Sequence, residues 1–209
     1  MSSSTAISLI EVEVSRVREL SKALRHDEAL AAAEALAVAS PQNRDVLYLI
    51  AANQRCLLQI PEALVTLHRL EQQHPRFSLL YQERGHCYVA LRDARNAIDA
   101  FLQAVNINPA LATSWSMLEL LYRMTGDVKN AATAAEQVST LAQLPPEIVR
   151  AGSLFSDGNL SAAENTLRAY LQNASHVEAL RLLGRIEHQR NVLDEAERLL
   201  EAALKAAPD

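Results

Sequence analysis

Residues 78–111 read SLLYQERGHCYVALRDARNAIDAFLQAVNINPAL, and the reading of the whole chain starts from this stretch. Tyr81, Gly85 and Tyr88 stand four and three residues apart, the spacing that lays side chains along one face of a helix. Ala97, Phe101 and Ala104 take up the same spacing further on. Pro109 then stands where a second helix must stop, because proline lacks an amide hydrogen and drives its predecessor away from helical angles. The stretch predicts two helices joined by a short turn.

The pattern spreads outward at a fixed step. Pro41, Pro75 and Pro109 lie 34 residues apart, and Ala29, Ala63, Ala97 and Ala131 keep the same interval. A constant interval marks one supersecondary unit used repeatedly, and such a unit hides its apolar face only against its neighbours. Registering each copy on its closing proline divides the chain into 10–43, 44–77, 78–111, 112–142, 143–176 and 177–209. Gly85 and Gly184 are read as close-approach points of first helices. Ala29, Ala63, Ala97, Ala131, Ala162 and Ala196 play that part for second helices. The first copy has Ala29 and Pro41 but no aromatic in its first helix. The fourth has Trp115, Leu118, Tyr122 and Gly126 in register, with Glu119 at the small position and a length of 31 residues. The fifth places Arg150 at the small position and opens on Leu144-Pro145-Pro146, where the array is expected to be most irregular. The sixth returns to form and closes on Pro208.

In residues 78–111, an aromatic, a small residue, an aromatic, then Ala, Phe, Ala and Pro fall at positions 4, 8, 11, 20, 24, 27 and 32. This order resembles the tetratricopeptide repeat, and the likeness covers about 200 of the 209 residues. The resemblance implies an all-α, right-handed superhelical solenoid of antiparallel helix pairs. It also implies that first helices line a concave face that holds a peptide or protein partner. On that face the copies would present Arg18, then Asp45, Tyr48 and Arg55, then Gln82 and His86. The row would continue through Ser116 and Arg123 to Glu178, Arg181, Arg185 and His188. The candidate partner-binding residues are therefore Tyr48, Arg55, Gln82, His86, Arg123, Arg181, Arg185 and His188. One variant of the family grips carboxylate tails with Lys and Asn pairs, but Val14, Arg18, Gln82 and His86 do not supply that pattern.

Arg181, Arg185 and His188 follow i, i+4 and i+7 along one helical face. Two guanidinium groups so placed can converge on a carboxylate or phosphate. Alternatively, Glu178 pairs with Arg181 three residues on, and the row is a solvated face.

Composition narrows the function further. The chain is 49% hydrophobic but only 4% aromatic, so Ala and Leu must do most of the packing. Twenty-five acidic against 20 basic residues leave a formal charge of -5, which argues against a general affinity for the nucleic-acid backbone. Cys56 and Cys87 form no CxxC pair and are read as reduced thiols. Neighbours on a helix point about 100° apart, so His86 and Cys87 do not serve one site. No Gly-rich phosphate loop, GxSxG or HExxH occurs, so neither catalysis nor a metal or cofactor is expected within these residues. The opening MSSSTAISLIEVEVSRVREL lacks a basic leader, and Glu11 and Glu13 interrupt its apolar stretch, so a cytoplasmic chain with no membrane anchor is expected.

The last copy raises a question of its own. No polar helix shields Leu199, Leu200, Ala203 and Leu204, so a partner or a second copy covers this face, or the chain is the N-terminal part of a longer one. The Ala-rich bacterial style is loosely similar to the N-terminal arrays of tetratricopeptide-repeat sulfotransferases. That likeness would place a sulfonate-transfer domain, with its phosphate-binding loop, beyond residue 209.

Overall fold

The computed structural model describes residues 2–207, with side chains described from Leu9 onward; the closing Pro208 lies outside the described residues. Twelve helices and no strand occur among the described residues. They follow one another as six pairs. The first three are α1 (Ser2–Lys22) with α2 (His26–Ala39), α3 (Arg44–Cys56) with α4 (Ile60–Gln73), and α5 (Ser78–Ala90) with α6 (Ala94–Ile107). The last three are α7 (Ala112–Thr125) with α8 (Val128–Gln143), α9 (Pro146–Ser156) with α10 (Leu160–Leu171), and α11 (Val177–Gln189) with α12 (Leu193–Ala206). The chain is all-α, as the proline and alanine ladders require.

Every pair turns in the same way. Leu24, Leu58, Arg92, Gly126, Gly158 and Asn191 all have positive φ, between 58° and 81°. The residue after each donates its amide to the carbonyl five positions back, as in Arg25 to Leu20 at 3.0 Å and Asp127 to Tyr122 at 2.9 Å. This is the left-handed helix stop in which two orphan carbonyls are satisfied within one turn. Asp93, Asp127 and Asn159 then cap the second helices by accepting from the amides of Asn96, Asn130 and Ala162 at 3.1–3.2 Å.

The helices gather into two compact units, residues 1–104 and 105–209, with the division inside α6. In the first unit, α3 packs on α1, α2, α4 and α5. Val17, Ala29, Ala33 and Val46 are fully enclosed there. Phe101 of α6 is also fully enclosed, and its ring lies where a Cβ at Gly85 would sit, 2.7–2.8 Å away. The second unit is centred on Ile148, Ala151, Ala163, Leu167, Leu183 and Ile186. There Gly184 admits Leu200, whose atoms lie 2.9–3.0 Å from a Cβ built at the glycine. Both glycines are thus close-approach points, as their register suggested.

Counting from the positive-φ residues corrects the register of the fifth pair. The buried alanine stands five residues after each turn in every pair, which selects Ala163 and not Ala162. The small position of the fifth pair, seven residues before Gly158, is the fully buried Ala151 and not Arg150. Physically, α8 does not stop where a proline would have ended it. It runs 16 residues to Gln143, and Leu144 then adopts the extended backbone that a following proline demands.

Candidate functional site

The prolines that end the second helices also tie in the next helix. Tyr81 donates its hydroxyl to the Pro75 carbonyl at 2.9 Å, and Trp115 donates its indole N–H to the Pro109 carbonyl at 2.9 Å. Just before Pro109, the fully buried Asn108 donates to the Ser153 hydroxyl at 2.8 Å and accepts from the Ala110 amide at 3.1 Å. These bonds hold the Pro109–Ala110 corner against α9. That corner is the floor of an open groove of about 340 Å³ in the second unit.

Three helices wall the groove. The end of α8 contributes Gln137, Leu141 and Leu144, α9 contributes Val149, Gly152 and Phe155, and α11 contributes Glu178, Arg181, Leu182 and Arg185. The double proline accounts for the opening. Pro146 begins α9 without an amide to satisfy, and α9 is only 11 residues long. Gly152 keeps the floor low: a Cβ there would meet Ala110 at 3.5 Å and Leu182 at 4.0 Å, ordinary contact distances.

The charges in the groove are not equivalent. Arg181 donates to Glu178 at 2.7 Å, so the pairing within the helix, weighed as an alternative above, is the one formed. Arg185 makes no ion pair among the described residues and is exposed. Its guanidinium lies 4.9 Å from the centre of the Phe155 ring, which holds the charge over an apolar wall. Beyond Phe155 and Arg185 the surface continues to His188, Gln189 and Leu200, and then along α12 past Glu197 to Leu204.

The remaining candidates lie elsewhere. In the first unit, Arg55 donates to the buried Glu83 carboxylate, so its charge is already engaged. Burial opposes that charge, but Glu83 outweighs it and holds the guanidinium above its ordinary range. Tyr48 packs edge-on against Phe77 at 5.7 Å, and burial drives its hydroxyl above the usual phenol range. His86 stands edge-on to Phe101 at 5.1 Å, and burial lowers its pKa. Gln82 is half-buried on α5. Arg123, on α7, pairs with Glu119 of the same helix at 2.6 Å. Of the eight candidates, the structure brings Arg181 and Arg185 together in the groove, with His188 on the adjoining surface.

The rest of the groove was missed in the sequence. Leu144, Val149 and Leu182 carry no charge or motif that singles them out in sequence, and Phe155 falls off the inner-face positions when the fifth copy is registered one residue early. The signal was present in Gly158-Asn159, a helix stop followed by a cap like Gly126-Asp127. Counting back from it would have placed Phe155 in the last turn of α9. Cys56 is exposed, whereas Cys87 is enclosed and burial pushes its thiol up to about 12. Among the described residues no group of His, Cys, Asp and Glu is arranged to hold a metal ion, and no helix is long and apolar enough to cross a membrane.

Comparison with known proteins agrees with this architecture. Residues 79–111 match the family model of the tetratricopeptide repeat. Among solved structures, a thermophilic tetratricopeptide-repeat protein of Thermus thermophilus, TTC0263, superposes with a TM-score of 0.52 at 22% identity, covering 96% of this chain and 92% of that one. The pilF protein of Pseudomonas aeruginosa gives 0.59 at 13% identity, over 95% and 92% of the two chains. A chain of the Naa15/Naa10 assembly bound to HypK gives 0.58 at 18% identity; the match covers 92% of this chain but 30% of that one. No curated protein sequence matches the chain. The third helix pair is a tetratricopeptide repeat, and the chain as a whole has the all-α repeat fold of such proteins.

Proposed function

We propose that this chain is a protein-interaction scaffold and that the groove of its second unit receives a segment of a partner. The carrying observation is the guanidinium of Arg185, without a carboxylate partner and stacked on Phe155, at the edge of a groove whose other two charges, Glu178 and Arg181, already pair with each other. A buried core would have matched that charge, and an ordinary solvated face would have lacked the apolar wall. The scaffold is stiff helix throughout, so little ordering accompanies association. Two of the solved structures of like fold are assemblies, Naa15/Naa10 bound to HypK and the Cut9-Hcn1 hetero-tetramer, which supports an interaction role.

Filling the groove tests this reading. Gly152→Leu places a side chain over the floor without a backbone clash, since the nearest neighbours of a Cβ are side-chain atoms at 3.5 Å and 4.0 Å. The variant should fold with unchanged helix content and lose about tenfold or more of its partner in quantitative affinity capture from cells. Leu58→Asp, an exposed change in the first unit, serves as control and should keep it. Equal recovery by both variants would remove the groove from consideration.

A specific observation favours a second reading, self-association along α12. Leu193, Leu200 and Leu204 are 54%, 42% and 61% exposed, whereas Leu199 and Ala203, which the sequence grouped with them, are buried. Sedimentation velocity across a wide concentration range should then show a reversible dimer that Leu204→Glu abolishes. A single monomeric boundary at every concentration argues against it.

A further inference from the structure

The groove does not end at Arg185. Phe155 and Arg185 line both the groove and the adjoining hollow, and His188 and Leu200 line that hollow and the next one along α12. The three form one track across the second unit. Leu144, Val149 and Leu182 lie at its start, Phe155 midway, and Leu200 and Leu204 at its end.

Two charges on this track have no partner among the described residues. One is Arg185, and the other is Glu197 on α12. The remaining charges are already matched: Glu178 with Arg181 at 2.7 Å, and Glu201 with Lys205 at 3.5 Å. The uncompensated charges are thus of opposite sign and lie on either side of Leu200. An apolar ligand without charges would leave both of them partly desolvated and unpaired, which is unfavourable. A uniformly acidic ligand would gain at Arg185 and lose at Glu197, and a basic one the reverse.

We infer that the track is built for one peptide segment of a partner protein, apolar along its length, with a carboxylate that meets Arg185 and a cationic side chain that meets Glu197. This rests on the groove reading above and adds the charge order of the occupant to it. Opposed charges at two points also fix the direction in which the segment lies, because reversal places like charges together.

The test uses the full chain and fluorescein-labelled, end-capped peptides of about twelve residues made from Leu, Ala and Gln. One set carries a single Glu and a single Lys separated by roughly three to eight residues, a range that spans helical and extended chains. Companion peptides replace the Glu, the Lys or both by Gln. The expected result, read by fluorescence anisotropy, is that at least one Glu/Lys spacing binds about fivefold more tightly than each singly charged companion. Arg185→Gln should erase the advantage of the Glu alone, and Glu197→Gln that of the Lys alone. If the neutral peptide binds as well as the charged set, the groove reading stands and the charge order is wrong. If no peptide binds, both are wrong. A dimer of the chain that Glu197→Lys disrupts, with no peptide effect, would give the track to a second copy and likewise overturn the inference.

Discussion

Gly85 in the first unit and Gly152 in the second both lie in the first helix of a pair, and their surroundings are opposite. At Gly85 the missing side chain is replaced by the ring of Phe101, itself fully enclosed, so the space is filled by the molecule. At Gly152 the nearest neighbour of a Cβ is Ala110 at 3.5 Å, and the space opens into the groove. The same residue therefore closes a core in one unit and leaves a binding surface open in the other. Close packing follows where successive pairs keep the 34-residue interval, as their turns at Leu24, Leu58 and Arg92 do. The groove opens where the interval changes and a double proline shortens α9.

The largest expected effect tests this contrast directly. Gly85→Ala puts a Cβ 2.7–2.8 Å from a ring that cannot move aside, and it should cost about 3 kcal/mol in denaturant unfolding. Gly184→Ala meets Leu200, 42% exposed and able to swing outward, so about 1 kcal/mol is expected. Gly152→Ala should stabilise by about 0.5–1 kcal/mol, because alanine is the better helix former and nothing obstructs it. If Gly152→Ala destabilised as much as Gly85→Ala, the groove floor would be a packed contact and the contrast would fail.

How far this was legible in the sequence depends on the same regularity. Pro75, Gly85, Ala97 and Phe101 announce helix pairs because each residue type has one physical reason to stand at its position. Ala162 and Arg150 fall one residue out of register because the proline that follows α8, Pro145, stands 36 residues after Pro109, and a ladder with a displaced rung misleads the count across it. The turn residues carry the register past this point, but only Gly126, Gly158 and Asn191 advertise a left-handed stop. Leu24, Leu58 and Arg92 adopt it without any local preference. Candidate site residues suffered from a different ambiguity. Arg55, Arg123 and Arg181 look alike in sequence to Arg185, and only the fold shows that carboxylates already hold the first three.

Buried carboxylates extend the comparison to a middle range of effects. Glu83 in the first unit and Glu187 in the second each expose 4% of their side chains, and each accepts from an arginine. Arg55 has no second carboxylate, whereas Arg168 also meets Glu164 at 2.8 Å and Glu195 at 3.7 Å. Removing Glu83 as Glu83→Gln therefore leaves a half-buried guanidinium uncompensated and should cost about 2 kcal/mol. Glu187→Gln leaves Arg168 two partners and should cost about 1 kcal/mol or less. Equal losses in urea titrations of the two variants would mean that the network around Arg168 does not share its charge as the geometry indicates.

The smallest effect concerns the turns, where the units differ most plainly at equivalent positions. The first unit holds Leu24, Leu58 and Arg92 at φ of 58–61°, and the second holds Gly126, Gly158 and Asn191, residues that enter this region readily. A side chain there costs about 1–2 kcal/mol in the folded state, offset by roughly 0.4–1 kcal/mol through the stiffer unfolded chain. Gly126→Ala, with nothing within 4 Å of its Cβ, should consequently destabilise by about 1 kcal/mol through backbone strain alone. Leu58→Gly should do the reverse and stabilise by about 0.5 kcal/mol, since Leu58 is 81% exposed and gives up no burial. Thermal unfolding of the pair decides the matter. A loss in Leu58→Gly would show that this exposed leucine contributes a contact in solution, and the first unit would then have an interaction edge of its own at its helix turns.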